Sequence, residues 1–253
     1  MNKKTAFLAQ PNKRISEWLS LQFGIETISS FEECDLLVFP GGLDVDPNIY
    51  GEPAGQRTSF DKKSDKNWIG YYKDAIGKGK KVLGICKGSQ FVCVMSGGKI
   101  IQHVENHAIF DTHAIKIEDK IFEVTSTHHQ MMDLSPLSDK NYELLAYTPE
   151  KLSTTYLDGY DDEMATPPDK EVEAVFFNGN GTLSIQFHPE FMHPEDPIHK
   201  VIGKWLEKVF SYKTEVLIDK YHPDPSKKSN TKASKASGIT KDMIDEFINY
   251  YLP

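Results

Sequence analysis

The chain has 253 residues, of which 39% are hydrophobic and 11% aromatic, enough for a sizeable core. Its 29 basic and 37 acidic side chains give a net charge of −8, which argues against nucleic acid or an anionic membrane as the main partner. No apolar run reaches the roughly 20 residues of a membrane span, and the N-terminus lacks the apolar stretch of a signal peptide. Three cysteines, an odd number, indicate a reducing compartment without a disulfide framework, so we expect a cytoplasmic protein.

Short apolar runs alternate with helix-compatible segments along the first 210 residues. In chain order the patterns predict strand 5–9, helix 14–22, strand 35–39, helix 67–77, strand 81–83, helix 89–95, strands 114–117, 122–124 and 144–147, a hairpin of 172–177 with 183–187, and helix 198–210. Continuous apolar strands between helices favour an α/β fold with a mostly parallel central sheet, covered by helices, with antiparallel additions. Ligands of such folds bind at the carboxyl ends of the strands.

The composition changes after residue 211. We predict a domain over 1–212, a flexible Lys/Ser-rich linker over 213–238 and a C-terminal helix over 239–253. The helix has apolar residues at helical spacing, so it is expected to pack on this domain or on a neighbouring subunit. Docking to another protein is the alternative.

Residues 84–90, GICKGSQ, predict a sharp turn from a buried strand into a helix, with Cys86 at the turn. Glycines two residues before and after the cysteine let the backbone bend and neighbouring elements approach closely. At a helix N-terminus, unpaired N–H groups and the helix dipole favour a thiolate over a thiol. The pattern therefore indicates a nucleophile. A buried structural cysteine, the interpretation we favour for Cys34 and Cys93, would not need the two glycines.

A second segment offers a base for this thiol. The strand pattern 183–187 runs directly into His188-Pro189-Glu190. A thiol nucleophile needs a general base, and the base needs a third group that fixes its tautomer. His188 and Glu190 supply both from one corner, which the proline stiffens. A lone histidine at a strand end is more often structural, but beside Cys86 we interpret it as catalytic.

Backbone N–H groups are needed to hold the oxyanion of an acyl-transfer intermediate. Gly41 and Gly42 follow the strand pattern 35–39 and present amides without side-chain obstruction. The amide of Lys87, directly after the nucleophile, is the expected second donor. An ordinary turn is the alternative for the two glycines.

These segments together resemble the class I glutamine amidotransferase superfamily. The pattern G-x-C-x-G-x-Q is met by Gly84, Cys86, Gly88 and Gln90, and the downstream H-P-E by residues 188–190. Within the superfamily the chain is most similar to the γ-glutamyl hydrolase branch, which includes γ-glutamyl-γ-aminobutyrate hydrolases. That branch carries a loop like PGGLDVDPNIYGE, here 40–52, and a Ser-x-His-His-Gln segment, here 126–130.

The resemblance implies a flavodoxin-like α/β fold and a Cys86-His188-Glu190 triad, with an oxyanion hole at Gly42 and Lys87. It further implies a glutamyl pocket whose lining residues are Gly41, Gln90, His128, His129 and Gln130. The implied reaction is hydrolysis of a γ-glutamyl amide, in glutamine or a γ-glutamyl amine, through a glutamyl thioester and without a cofactor.

The sequence departs from the family in two places. Lys87 stands where the family often has arginine, and the two are not interchangeable if the side chain organises the site. Residues 149–171 are longer and more acidic than expected. Their acidic run, residues 158–163, is most simply a solvated loop, and a lid that favours a cationic amine is the alternative.

Two other functions stay open. One is a glutaminase subunit that passes ammonia to a separate synthetase, and the other is a non-catalytic binding protein on the same fold. We expect no metal site, because neither the pair His103 and His107 nor the pair His128 and His129 is completed by cysteine or carboxylate at standard spacing.

Overall fold

A nine-stranded mixed sheet organises residues 3–213, the part of the chain that the computed structural model describes. The described α-helices are α1 (Lys13–Phe23), α2 (Lys62–Gly77), α3 (Lys87–Met95) and α4 (Ile198–Ser211). The described strands are β1 (Thr5–Leu8), β2 (Glu26–Thr27), β3 (Leu36–Phe39), β4 (Lys81–Ile85), β5 (Lys99–Ile101), β6 (His103–Val104), β7 (Asp111–Ile117), β8 (Lys120–Ser126), β9 (Met131–Asp133), β10 (Tyr142–Tyr147), β11 (Tyr156–Asp158), β12 (Glu163–Met164), β13 (Val172–Phe177) and β14 (Thr182–Ile185). The predicted linker, apart from residue 213, and the predicted C-terminal helix lie outside the described residues.

The strand order in this sheet is β2-β1-β3-β4-β14-β13-β10-β7-β8. The first five strands pair in parallel, and every pairing from β14 to β8 is antiparallel. The predicted α/β class is confirmed, and the hairpin of β13 and β14 forms the boundary between the parallel and antiparallel parts.

In the parallel part of the sheet, β3 and β4 are buried on both faces, which explains their continuous apolar sequences. Leu36 and Val38 of β3 belong to one core, which includes residues of α1 and α4. Leu37 and Phe39, which point to the opposite face, belong to a second core with α2 and α3. Alternation along one strand thus divides the core into two layers around the sheet.

Some boundaries differ from the prediction because short-range capping decides them. Helix α2 begins at Lys62 rather than Asn67, since the Asp61 side chain accepts hydrogen bonds from the N–H groups of Lys63 and Ser64. Strands of two or three residues, such as β11 and β12, show no periodicity that would have revealed them. These two pair with each other, and β11 pairs with β6, so part of the acidic segment 149–171 is sheet rather than solvated loop.

Cys34 and Cys93 are buried and free, and burial raises the pKa of both thiols, as expected for structural cysteines. Among residues 3–213, no helix has the length and apolar character that crossing a bilayer requires.

Candidate active site

Cys86 occupies a strained turn between β4 and α3. Its φ of 52° and ψ of −112° lie in a region that residues other than glycine rarely adopt. The surrounding backbone holds this conformation: the Cys86 N–H donates to the Ile185 carbonyl at 2.9 Å, and the Cys86 carbonyl accepts from the N–H of Ser89 at 2.9 Å. The local geometry is that of a nucleophile elbow, with a partly exposed cysteine at its apex.

Gly84 and Gly88 are required because other backbone atoms approach them closely, and not because their φ angles are positive. A Cβ at Gly88 would overlap the carbonyl oxygen of Phe39, and a Cβ at Gly84 would overlap the carbonyl oxygen of Gly88. The Gly88 N–H also donates to the Pro40 carbonyl at 3.0 Å. Strand β3 and helix α3 therefore meet without an intervening side chain, and the Gly-Gly segment that follows β3 lies beside the cysteine.

His188 lies after β14 and is held at both its ring and its backbone. Its Nδ1 lies 2.7 Å from Oε1 of Glu190, whose side chain is fully buried. Its backbone N–H donates to Oγ1 of Thr125 at 2.8 Å. Burial opposes protonation of the imidazole, but hydrogen bonds and charge interactions with Cys86 and Glu190 outweigh it and raise the pKa of His188 to about 10. The ring is thus poised as an imidazolium between thiol and carboxylate.

Gly41 is where the three predicted segments converge. A Cβ at this position would lie 2.5 Å from Cε1 of His188 and 3.4 Å from Cβ of Cys86. The structure therefore brings together the elbow, the His-Pro-Glu corner and the Gly-Gly turn. Only a residue without a side chain leaves the imidazole in this position.

The Lys87 side chain is buried in an ion pair with Asp65. Its Nζ lies 2.6 Å from Oδ1 of Asp65 and 4.6 Å from the ring centroid of Trp68, and both charged side chains are almost wholly buried. The other Asp65 oxygen accepts from the N–H of Asp46 at 2.8 Å. This ion pair connects the helix that follows Cys86 to the loop after Gly42, so the Lys87 side chain holds two parts of the site together.

Two of the predicted pocket residues form a buried amide network. Nε2 of Gln90 donates to the carbonyl of Gln130 at 3.1 Å and to Oε1 of Gln186 at 3.3 Å. Nε2 of Gln130 donates to Oγ1 of Thr58 at 3.3 Å, and both glutamines are buried. Their side chains support the walls around the elbow, and their role in substrate binding stays a prediction.

The two adjacent histidines face different surroundings. His129 is partly exposed, and its Nε2 lies 3.0 Å from Oδ1 of Asp44 in the loop after Gly42. His128 is buried, and its Nε2 lies 3.3 Å from the carboxylate of Glu173. His129 therefore lies beside the Gly-Gly loop, whereas His128 points into a separate polar cluster.

The acidic run 158–163 is partly engaged within the fold. Asp162 forms an ion pair with Arg57 at 2.6 Å, and burial raises the pKa of Asp158 to about 6 although a backbone N–H donor opposes the shift. Asp161 and Glu163 are exposed.

Sequence reasoning missed Asp65, which no motif includes. A signal was nevertheless present, because Asp65 lies on the buried face of α2, three residues before Trp68 and four before Ile69. A carboxylate in an apolar stripe indicates a buried partner. Thr125, which holds the backbone of His188, gave no comparable signal.

A family model for peptidase C26 matches residues 24–190, more than half of the 253 residues. The chain belongs to the peptidase C26 family. This family includes γ-glutamyl hydrolases, and the match confirms the resemblance to the class I glutamine amidotransferase-like superfamily. The matched region contains the elbow and the His-Pro-Glu corner.

The curated relatives are distant. A Lactococcus lactis protein, YvdE, assigned as glutamine amidotransferase-like, is 27% identical over 177 residues, which cover 62% of this chain and 66% of that protein. NtpR of Enterococcus hirae is 24% identical over 193 residues, covering 66% of this chain and 72% of NtpR. The chain spans between 50% and 66% of the length of the first three curated relatives that it matches.

Solved structures confirm the fold. A Thermoplasma acidophilum protein assigned as a GMP synthase subunit superposes with a TM-score of 0.54 at 16% identity, covering 83% of this chain and 94% of that chain. The glutaminase domain of Trypanosoma brucei CTPS, solved with acivicin bound, superposes with a TM-score of 0.52 at 13% identity, covering 82% and 94%.

Proposed function

We propose that this protein hydrolyses the γ-glutamyl amide bond of glutamine or of a γ-glutamyl amine, through a glutamyl thioester on Cys86. One observation carries the proposal: the strained cysteine and the His188–Glu190 pair converge around a glycine that leaves room for the imidazole. A thiol nucleophile, a base beside it and a carboxylate that orients the base are the parts that acyl transfer through a thiol requires.

In the first step the Cys86 thiolate attacks the γ-carbonyl carbon and forms a C–S bond. The carbonyl π electrons move to oxygen, and the tetrahedral intermediate collapses by breaking the C–N bond. The His188 imidazolium protonates the departing nitrogen, which leaves as ammonia or an amine. Glu190 holds the ring through Nδ1 so that Nε2 faces the reaction.

In the second step neutral His188 takes a proton from water, whose oxygen attacks the thioester carbon. The C–S bond breaks and glutamate leaves, so that thiolate and imidazolium are restored. The overall reaction consumes one water and needs no oxidant or reductant.

The oxyanion of both intermediates needs preorganised donors, and we assign the backbone amides of Gly42 and Lys87. Lys87 is the first residue of α3, where N–H groups have no acceptor within the helix. The buried Lys87–Asp65 pair, with the hydrogen bond from the Asp46 amide to Asp65, fixes the loop that carries Gly42 relative to that helix. The glutamyl group is then expected to lie against Gly41 and the segment that includes His129.

The test is glutamate release from glutamine and from a panel of γ-glutamyl amines by the purified full chain. Cys86→Ala is expected to lower turnover on the order of 10⁴-fold or more, as for other covalent nucleophiles. Cys34→Ala is the matched control, because it removes a buried thiol that lies outside the site. Near-normal turnover by Cys86→Ala would refute the mechanism.

Two outcomes separate the competing functions. Glutamine hydrolysis that becomes rapid only when a synthetase is added would identify a glutaminase subunit. No turnover of any substrate, together with no labelling of Cys86 by a thiol-directed glutamine analogue, would identify a non-catalytic binding protein.

A further inference from the structure

Three imidazoles and one carboxylate lie close together in the interior, where two loops meet β7 and β13 of the antiparallel part of the sheet. The histidine–glutamate cluster consists of His107, His113, His128 and Glu173, and all four residues are buried. They come from the loop before β7, from β7 itself, from the loop before β9 and from β13. One potential ligand atom from each lies within 4.8 Å of all the others. These sources are far apart in the sequence, which is why no standard metal-ligand spacing was visible.

The carboxylate lies at ligand–ligand distances from the three rings. Oε1 of Glu173 is 3.1 Å from Nε2 of His113, 3.3 Å from Nε2 of His128 and 3.6 Å from Nδ1 of His107. In a tetrahedral zinc site with bonds near 2.1 Å, neighbouring ligand atoms are separated by about 3.4 Å. Because the widest separation in the cluster is 4.8 Å, a bound ion would draw the rings together by rotation about their side-chain torsions.

A contact outside the cluster fixes one of the ring tautomers. Nδ1 of His128 lies 2.9 Å from the carbonyl oxygen of Gln130, and since a carbonyl oxygen only accepts, this nitrogen carries the proton. In a neutral imidazole the other nitrogen, Nε2, then presents a lone pair, and it faces Glu173. Nε2 of His107 lies 3.2 Å from Oε2 of Glu171, but within the described residues neither ring nitrogen of His107 makes a hydrogen bond.

A lone pair aimed at a buried carboxylate repels it unless a cation lies between them. Both carboxylate oxygens of Glu173 lack a hydrogen-bond partner within the described residues, as do Nε2 of His128 and Nδ1 of His107. A ring nitrogen that donates to a carboxylate or carbonyl while its other nitrogen is aimed at a common point is the usual arrangement of a metal-binding histidine. The cluster therefore has the inner ligands of a metal centre and, at His128, its outer contact.

We propose that the histidine–glutamate cluster binds one Zn²⁺ ion in a closed structural site. Imidazole and carboxylate suit zinc, and four protein ligands leave no open position for a substrate, which is the arrangement of structural rather than catalytic zinc. The charges also balance, because the divalent ion compensates the buried carboxylates of Glu173 and Glu171. The proposal does not depend on the hydrolase mechanism.

The ion would connect two loops to two strands that are not neighbours in the sheet. The N–H of His128 donates to the carbonyl of His107 at 3.1 Å, so the two loops already touch through their backbones. Through its four ligands, zinc would link both loops to β7 and β13. It would thereby fix the segment that continues into His129 and Gln130.

The experiment uses the full chain carrying Cys86→Ala, so that the reactive thiol cannot capture metal. This protein is stripped with a chelator, and zinc is added back while the bound metal and the thermal unfolding midpoint are measured. We expect one zinc per chain, a higher midpoint with zinc, and the strong visible absorption of four-coordinate cobalt without thiolate bands when Co²⁺ replaces zinc. Adding His113→Gln is expected to lower zinc affinity by more than the ~10–100-fold that loss of an outer contact causes.

The matched control is His103→Gln, which removes a partly exposed histidine outside the cluster and is expected to bind zinc as tightly as the parent. Tight binding that survives His113→Gln would overturn the site. Absence of stoichiometric zinc with an unchanged midpoint would overturn it as well, and would mean that doubly protonated histidines neutralise the two glutamates. Should His113→Gln not fold, the cobalt spectrum of the Cys86→Ala chain decides, since six-coordinate or thiolate bands would exclude the proposed ligands.

Discussion

Replacing Lys87 by methionine tests whether the buried ion pair holds the elbow and the neighbouring loop together. Methionine keeps much of the packing against Trp68 but leaves the Asp65 carboxylate buried, with the Asp46 amide still donating to it and no cation beside it. Breaking a buried pair from one side typically costs about 3–5 kcal/mol, because the remaining charge is uncompensated. We therefore expect Lys87→Met to lose about that much free energy of unfolding at pH 7.

The loss should also depend on pH, with a sign that the structure fixes. Burial raises the pKa of Asp65 even with Lys87 present, and removing the ammonium raises it further. An acid with a raised folded-state pKa binds its proton more tightly folded than unfolded, so stability rises as pH falls toward the unfolded value of about 3.9. The cost of Lys87→Met is therefore expected to shrink between pH 7 and pH 5.

Urea unfolding at pH 7 and pH 5 measures the free energy of unfolding that Lys87→Met loses at each pH. The control Lys78→Met removes an ion pair with Glu32 that is largely exposed, and it should cost far less than Lys87→Met. Adding Asp65→Asn to Lys87→Met removes the stranded charge and should recover part of the loss. A cost for Lys87→Met no larger than that of Lys78→Met, or one independent of pH, would refute the reasoning.

Two further predictions concern the imidazole. Glu190→Gln removes a charge that, together with the Cys86 contact, raises the pKa of His188 to about 10. Because the imidazolium of the variant loses its proton at lower pH, the alkaline limb of the kcat/KM profile should move to lower pH. An alkaline limb that does not move would contradict the pairing of His188 with Glu190. Gly41→Ala places a Cβ 2.5 Å from Cε1 of His188 and should lower kcat/KM by about 10²-fold through misplacement of the ring. Gly70→Ala, where an added Cβ meets nothing within 4 Å, is its control and should keep full activity; equal activity of the two variants would show that the ring does not depend on Gly41.

The elbow and the His-Pro-Glu corner could be predicted because their information is local. A strand, a glycine on each side of Cys86 and a following helix all lie within residues 81–95, so the turn is specified by its own sequence. The α/β class followed for a similar reason, since β3 and β4 are apolar along their whole length apart from Lys81.

Features formed by distant segments could not be predicted in this way. Neither the approach of Gly41 to His188 nor the pairing of Lys87 with Asp65 follows from the spacing of these residues. The histidine–glutamate cluster is the extreme case, because its ligands depend on the order in which β7, β10 and β13 join the sheet. Sequence spacing detects metal sites whose ligands lie on the same turn or the same helix, and the residues of this cluster lie on four separate segments.

The carbonyl of Gln130 connects this cluster to the elbow. It accepts one hydrogen bond from Nε2 of Gln90, on the helix that follows Cys86, and lies within hydrogen-bond distance of Nδ1 of His128. A change in the orientation of the His128 ring would therefore act on the segment that includes His129, while the contacts of His188 to Glu190 and Thr125 involve no member of the cluster. Since the contacts that hold His188 do not involve the cluster, we infer that the cluster acts on the position of the segment that includes His129 rather than on the arrangement of Cys86, His188 and Glu190.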